Sequence, residues 1–412
     1  MSNPAMHKKW TVMIYLAGDN NLDANGVVDL TEMKRTGSTS QVNVIAQFDR
    51  AGAGLPTKRY FLQKGTSLNA DVKQSLGETN TGQPDFLLDF IKWGVSGYPA
   101  DHYMLILWNH GQGWDDTDIF AGERVRGNRL MRNNRIRNSF FKSSVSHAAK
   151  LSAGNNKIAR AILIDDNAKD FLDSVEMKKV LLDAKKVLKH KIDILGMDAC
   201  LMSMAEVGYQ MRSSVSYTVG SEETEPLDGW PYDTILRQLA DNPDLTPRDL
   251  SKIIVKNYVE SYRNTGDAVT QSACDLTTST RFADAFTTFA GDLLKALADT
   301  HTQTSITDAR NRVQEFEVND NIDLVNFCTL LKSSGIPATL GKACDGLTNA
   351  IKGSSGLVFA AGYNANSMKN SNGLAIYFPT RMVSPLYTRL DFAKKTGWGT
   401  FLKSYIAATR SQ

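Results

Sequence analysis

Apolar positions along this chain follow two different rhythms. Near-continuous apolar runs of strand length recur through the first half. Between them stand segments whose apolar residues return every three or four positions. WTVMIYLAGD (10–19) is mostly apolar and closes on Gly-Asp, the pattern of a strand buried on both faces. QVNVIAQFDR (41–50) and KRYFLQKG (58–65) read as the next strands, and PDFLLDFIKWGV (84–95) as a helix. HYMLILWNHG (102–111) is a very apolar strand running up to His110. RAILIDD (160–166), a helical stretch from about 170 to 189, and DILGMDAC (193–200) complete the series.

Strands alternating with helices imply βαβ units and an α/β fold with a mainly parallel sheet. Right-handed crossovers then gather the loop-bearing strand ends on one edge, where open α/β sheets bind their ligands. His110 and Cys200 both end apolar strands, so pattern alone brings them to the same edge. After SYTVGSEE (216–223) the chain turns more helical, with segments near 248–263, 280–297 and 336–352, and VTQSACDL (269–276) reads as a strand. GLVFAAGYN (356–364) and GLAIYFPT (373–380) read as two late strands that either pair with each other or complete the sheet edge. There is no internal repeat and no long low-complexity linker.

Composition narrows the class. At 412 residues, 42% hydrophobic and 22% charged, the chain resembles an ordinary globular protein able to bury a large core. A net charge of +3 gives no reason to expect nucleic acid or a membrane surface as principal partner. No segment approaches the roughly 20 apolar residues of a membrane span. MSNPAMHKKW carries no apolar run before the first strand and does not read as a secretory signal. As given, the chain reads as cytoplasmic, or as secreted if a leader has been removed. Cys200, Cys274, Cys328 and Cys344 form no CxxC pair, which argues against a zinc knuckle or a thioredoxin-type site. With Cys200 kept as a free thiol, three remain, an odd number that argues against a full disulfide framework.

One segment, 115–157, departs from these rhythms. It carries Arg124, Arg126, Arg129, Arg132, Arg135, Arg137 and Lys142 among Asn, Ser and Gly. A basic run of this kind is usually a solvated loop that is easily nicked, and less often a nucleic-acid patch. The segment lacks the interleaved aromatics that nucleic-acid binding would favour.

Two residues bear on chemistry. In GMDACLMSMAEVGYQM a strand ends at Cys200 and helical spacing is expected to begin at once. A thiol at such a junction faces the positive end of a helix dipole, which favours thiolate, beside backbone N–H groups free to bind an oxyanion. The competing reading is a small buried hydrophobe, the commonest fate of an unpaired cysteine. His110, in LILWNHGQGW, follows its strand and precedes Gly111, where backbone approaches a ligand closely. Taken alone it would be a histidine that merely caps a strand. Together the two make a nucleophile–base arrangement. His7, His102, His147, His190 and His301 occupy weaker positions, in the terminal tail, at element ends or in polar stretches.

YLAGDNNLD (15–23), WNHGQGW (108–114), MDACLMSMAEV (197–207) and SEETEPLDGWPY (221–232) resemble the clostripain family of cysteine peptidases, in the family's order and over most of the chain. The resemblance implies a caspase-like catalytic domain over 8–240, followed by a helical region, 241–412, whose late strands complete or extend the sheet. It also implies a His110–Cys200 dyad, an oxyanion site at the backbone of Gly111 and Cys200, and cleavage after Arg or Lys in a protein or peptide substrate. Asp198 matches the family's carboxylate for the basic side chain, with Asp228 as a second acid; otherwise Asp198 would read as a helix N-terminal acid. A recessed carboxylate binds guanidinium with charge-assisted, often bidentate hydrogen bonds, so Arg should do at least as well as Lys.

Relatives are often matured by cleavage between the dyad residues, which makes Arg124 to Lys142 candidate self-processing sites. No cofactor is implied, but some relatives need calcium. Asp115, Asp116, Asp118, Glu222, Glu223 and Glu225 are possible oxygen ligands, although they lack EF-hand spacing. A catalytically silent binding or regulatory module of the same fold is the alternative.

Overall fold

The sequence's apolar runs lie side by side in a nine-stranded sheet of order β12-β10-β9-β8-β5-β1-β2-β3-β4. A computed structural model describes residues 6–52, 54–114 and 162–410. In chain order the strands are β1 (Lys8–Gly18), β2 (Val42–Arg50), β3 (Thr57–Phe61), β4 (Val72–Gly77), β5 (Ala100–Trp108), β6 (Ile162–Asp165) and β7 (Asp170–Leu172). They continue with β8 (Ile192–Asp198), β9 (Val215–Gly220), β10 (Val269–Asp275), β11 (Asn321–Asp323), β12 (Val358–Asn364) and β13 (Ala375–Tyr377).

The central strands β2, β1, β5, β8 and β9 are parallel, and antiparallel strands extend both edges. Every β1 residue from Trp10 onward is buried, as a strand covered on both faces requires. Helices Pro84–Gly97 and Ser174–Leu188 pack together on one side, and Asp23–Thr36 and Tyr232–Asp241 on the other. Local chemistry fixes their starts. Pro84 occupies the first turn of its helix, where its missing N–H costs nothing. Asp173 and Glu176 form a reciprocal capping box at the start of Ser174–Leu188. From β1 the chain builds β2 to β4 outward on one side and β5, β8 and β9 on the other. The resulting switch point places the loops after β1, β5 and β8 together.

One expectation changes, and one choice between alternatives is decided. RAILIDD is not a sheet strand; only Ile162–Asp165 is extended, and it pairs with β7 in a separate hairpin. Leu163, at φ 57°, breaks the regular extended backbone there. The two late runs do not pair with each other. β12 joins the main sheet beside β10, whereas β13 pairs with β11 in a small sheet of its own. Residues after 241 also supply the helices Thr300–Arg312, Leu324–Lys332 and Trp398–Arg410. Phe286, Phe289, Phe378, Trp398 and Phe401 knit this region around edge-to-face and stacked rings. No described helix is long and apolar enough to cross a membrane.

Candidate active site

Two loops meet beyond the adjacent ends of β5 and β8. The first begins at Asn109, whose backbone N–H donates to the Asp198 carbonyl at 3.3 Å. The Asn109 side chain donates to the Ala17 and Ile164 carbonyls and accepts from the Ile164 N–H. Asn20 ties the same two carbonyls from the loop after β1, at 2.9 Å each. Neutral amides thus lash β1, β5 and β6 into one rim. On that rim His110 is fully buried, and its Nε2 lies 2.8 Å from Asn21 Oδ1. An acceptor there keeps the ring proton on Nε2. Next in sequence, Gly111 lies directly against the second loop. A Cβ on it would sit 2.7 Å from both the Ala199 Cβ and the Cys200 carbonyl oxygen, closer than atoms allow.

The second loop turns sharply at Ala199–Leu201, with Leu201 in the left-handed region at φ 63°. Such strain in a residue bearing a Cβ persists only where neighbours enforce it. Here the enforcing segment is 221–225. Leu201 N–H donates to the Glu223 carbonyl, Ser203 N–H to the Ser221 carbonyl, and Glu225 N–H to Cys200 Sγ at 3.3 Å. The expected helix immediately after Cys200 is not there. It starts at Ala205 and runs only to Met211, because residues 201–204 are taken up by these cross-loop bonds and by a bridge from Met204 to Ala375. The Cys200 thiol therefore lacks the helix dipole foreseen for it. Complete burial pushes it well above the ordinary thiol range, the nearby Glu225, Glu223 and Asp198 push it further, and the hydrogen bond from Glu225 N–H only partly offsets them. In this state the sulfur is a protonated thiol. The N–H groups of Gly111 and Cys200 donate to no other group among the described residues.

Asp198, the last residue of β8, is fully buried. Tyr232 OH donates to its Oδ2 at 2.6 Å. Gly229, at φ 56°, leaves room for the carboxylate; a Cβ there would stand 3.2 Å from Oδ2. Burial raises the Asp198 carboxyl above its usual range, against the hydrogen bonds that lower it.

A family model described as the clostripain family matches residues 14–129 and 145–405, which is most of the chain. This chain belongs to the clostripain family. The family's members are cysteine peptidases. Clostripain from Hathewaya histolytica is 29% identical over 267 residues, a span that covers 58% of this chain and 43% of clostripain's own length. A secreted C11 cysteine protease from Bacteroides thetaiotaomicron, solved with an irreversible peptide inhibitor, shares the fold with TM-score 0.63. It is 19% identical, with 96% of this chain and 99% of that one covered. An inactive zymogen C11 protease from Parabacteroides distasonis aligns with TM-score 0.62 at 18% identity, covering 95% and 99% of the two chains. The sheet and its flanking helices are thus those of the caspase-like C11 proteases.

Against this clostripain-family frame, the remaining candidate residues separate clearly. Asp228 is exposed, and the carboxyl within hydrogen-bonding range of Asp198 is instead that of Glu225. Among the three described acids named as oxygen ligands, Glu222 turns to Asp323 and the Gly373 N–H. Glu223 accepts from Thr224 and Glu317, and Glu225 faces Asp198. They point to three different partners and do not form one calcium ligand set, and no metal-holding group occurs among the described residues. Asp115, Asp116, Asp118 and the basic candidates Arg124, Arg126, Arg129, Arg132, Arg135, Arg137 and Lys142 lie outside the described residues. Asn21 was not foreseen. Its signal was present in the Asn pair of GDNNLD, at the end of a buried strand on the loop-bearing edge.

Proposed function

We propose that this chain is a cysteine endopeptidase that cleaves after Arg or Lys through Cys200 and His110. The observation that supports it most is the contact of the two loops at the ends of β5 and β8, where Gly111 rests against Ala199 and Cys200, in a chain of the clostripain family. In the proposed reaction His110 Nδ1 takes the Cys200 proton and the sulfur attacks the carbonyl after the basic residue. The N–H groups of Gly111 and Cys200 receive the developing oxyanion, and the imidazolium then protonates the leaving amine. Water activated by His110 releases the acyl group and restores the thiol. Asp198 receives the basic side chain of the substrate. Every step uses the chain's own groups.

Cleavage within 115–157 by the same site is the proposed activation, since that segment carries seven candidate basic residues. The test is hydrolysis of a fluorogenic peptide ending in Arg, together with intact-mass measurement of the purified chain. Cys200→Ala should abolish turnover, by about 10³-fold or more, and should leave the chain uncut. Absence of turnover in wild type, even after trypsin nicking of 115–157, would support the silent binding module instead. A Cys200→Ala chain still cut in pure form would refute self-processing.

A further inference from the structure

We infer that Glu222 is a positioning residue for the Cys200 turn: through one shared proton it joins Asp323 and so closes a ring of three chain segments behind the nucleophile. This rests on the reading of Cys200 as that nucleophile.

The ring closes bond by bond. On its first side, the Leu201 and Ser203 N–H groups donate to the carbonyls of Glu223 and Ser221, at 3.1 and 2.8 Å. On its second side, the same turn is tied to the segment leading into β13. Ala375 N–H reaches the Ser203 carbonyl at 3.0 Å, and Ser203 Oγ reaches the Gly373 carbonyl at 3.0 Å. The third side, between 221–225 and 372–373, is made by the Glu222 side chain. Its Oε2 accepts from the Gly373 N–H at 3.0 Å, and its carboxyl meets that of Asp323. Asp323 takes the N–H of the preceding residue, Asn372, at 2.5 Å. Two consecutive backbone N–H groups thus serve the two acids and set them side by side. Thr270, on β10, accepts the Glu222 and Glu223 N–H groups at 2.9 and 3.0 Å, which anchors the segment to the main sheet while the Glu222 side chain reaches across.

Glu222 and Asp323 are both buried, and two buried carboxyls in contact keep a proton between them, because like charges at that range cannot both ionise. The donors decide which acid holds it. Asp323 accepts from the Asn326 N–H, the Asn372 N–H and Asn372 Nδ2 at 2.6, 2.5 and 3.0 Å, the partners of a carboxylate. Glu222 accepts a single N–H, and its Oε1 has no N–H or hydroxyl donor. A proton on Glu222, given to Asp323, leaves that oxygen satisfied. Burial and the Asp323 charge both push the Glu222 carboxyl well above its usual range, in the same sense. Lys352 acts on Glu222 through its charge, while its ammonium donates to the Asn372 carbonyl at 3.4 Å. Cys274 faces the pair from β10, and Cys328 from helix Leu324–Lys332.

A protonated Glu222 has the shape and the hydrogen bonds of a glutamine: one oxygen for the Gly373 N–H and one donor for Asp323. An ionised Glu222 would set two charges against each other and open the third side, leaving the turn behind the sulfur tied on two sides only.

The experiment measures kcat and KM for a fluorogenic peptide ending in Arg between pH 5.5 and 8. It compares wild type, Glu222→Leu, Glu222→Gln and Asp323→Asn, with Cys200→Ala as control. Glu222→Leu should lose roughly 10- to 100-fold in kcat with KM little changed, the signature of a displaced nucleophile. Glu222→Gln should recover all but about threefold of that loss and keep the wild-type pH profile, since a carboxamide repeats both bonds. Asp323→Asn turns an amide NH2 toward N–H donors and should be slower than Glu222→Gln. The infrared difference between wild type and Glu222→Gln at pH 7 should show the C=O stretch of a protonated carboxyl. Unchanged kcat in Glu222→Leu overturns the positioning role. Glu222→Gln as slow as Glu222→Leu, or a carboxylate band alone in the infrared difference, overturns the shared proton. Should Glu222→Leu fail to fold, Asp323→Asn decides in its place, and a kcat equal to that of wild type overturns the positioning role. Turnover that survives in Cys200→Ala overturns instead the reading of the nucleophile.

Discussion

The loop carrying His110 and the loop carrying Cys200 are built in opposite ways. On the histidine side the ties are neutral amides: Asn20 and Asn109 reach backbone carbonyls and N–H groups, and Asn21 meets the imidazole. The amides themselves carry no charge, but Asp19 beside them is a buried carboxyl lifted to about 7 by burial, and Asp165, next to Ile164, is raised as well. On the cysteine side the ties are carboxyls buried at 198, 206, 222, 223 and 225, several with an oxygen that no donor serves, next to a left-handed Leu201. The difference teaches that one loop of a site can be tied by neutral side-chain amides that bridge strands, while its partner is held by the backbone of an acid-rich segment. In the proposed mechanism the base, His110, is already tied to Asn21, whereas the nucleophile, Cys200, is held as a buried thiol.

The contrast is sharpest at Asp198. Asp198→Asn should lower kcat/KM for Arg peptides by roughly 10²- to 10³-fold, since truncating one partner of a buried charge contact costs about 2–5 kcal/mol. A loss below fivefold would move the specificity elsewhere. On the histidine side, Asn109→Leu removes three hydrogen bonds that span β1, β5 and β6, at about 1 kcal/mol each. The expected result is about 3 kcal/mol of lost stability in urea unfolding. A loss below about 1 kcal/mol would show that these bonds do not hold the rim together.

Glu206 tests the other side's response to pH. Burial lifts its carboxyl from the ordinary 4.5 to about 7, against hydrogen bonds from the Tyr377 N–H and Tyr387 OH. A raised carboxyl holds its proton in the folded chain after the unfolded chain has released it. Stability therefore falls as pH climbs from about 4.5 to about 7 and levels above that, a change of about 3 kcal/mol from this group. Glu223, also raised to about 7, acts in the same sense on this side, as Asp49 and Asp19 do on the other. Glu206→Gln should remove its share of the slope, seen as a smaller Tm drop between pH 5 and pH 8; an unchanged slope would show that Glu206 does not titrate there. The smallest effect is expected from Asn21→Ala, where a positioning bond to His110 is lost. A three- to tenfold fall in kcat, about 1 kcal/mol, with KM steady and the acidic limb of the pH profile displaced, is the expected signature. A change confined to KM would show that Asn21 serves binding instead.

Much of the frame was legible because it depends on local pattern. The runs at 10–19, 102–108 and 193–198 are too apolar and too short to be anything but buried strands in an alternating chain, and their ends carry the loops. What escaped depends on partners distant in sequence. MSMAE after Cys200 has helical spacing, yet residues 221–223 and 375 claim its backbone first. RAILIDD has strand composition, yet Asn20 and Asn109 bind its Ile164 as part of a hairpin rim. Glu225 lies 25 residues from Cys200, and only the fold turns its N–H to the sulfur and its carboxyl to Asp198. Asp228 was the more conspicuous acid, in a turn beside Gly229, and that turn exposes it.

The seam between β5 and β8 carries one more consequence. Met104–Trp108 pairs in parallel with Ile194–Asp198, and every strand from β1 to β5 lies on one side of that seam in the main sheet. Any break in the chain between 115 and 161 therefore yields a light and a heavy piece that meet in mid-sheet, one bearing the imidazole and the other the sulfur. Ladder hydrogen bonds, the Asn109–Ile164 bonds and the Asp166 N–H to Asp19 carbonyl bond cross between them. A chain so nicked should elute as one species, held by the shared sheet, until denaturant separates the halves, and neither half would hold both residues of the proposed dyad.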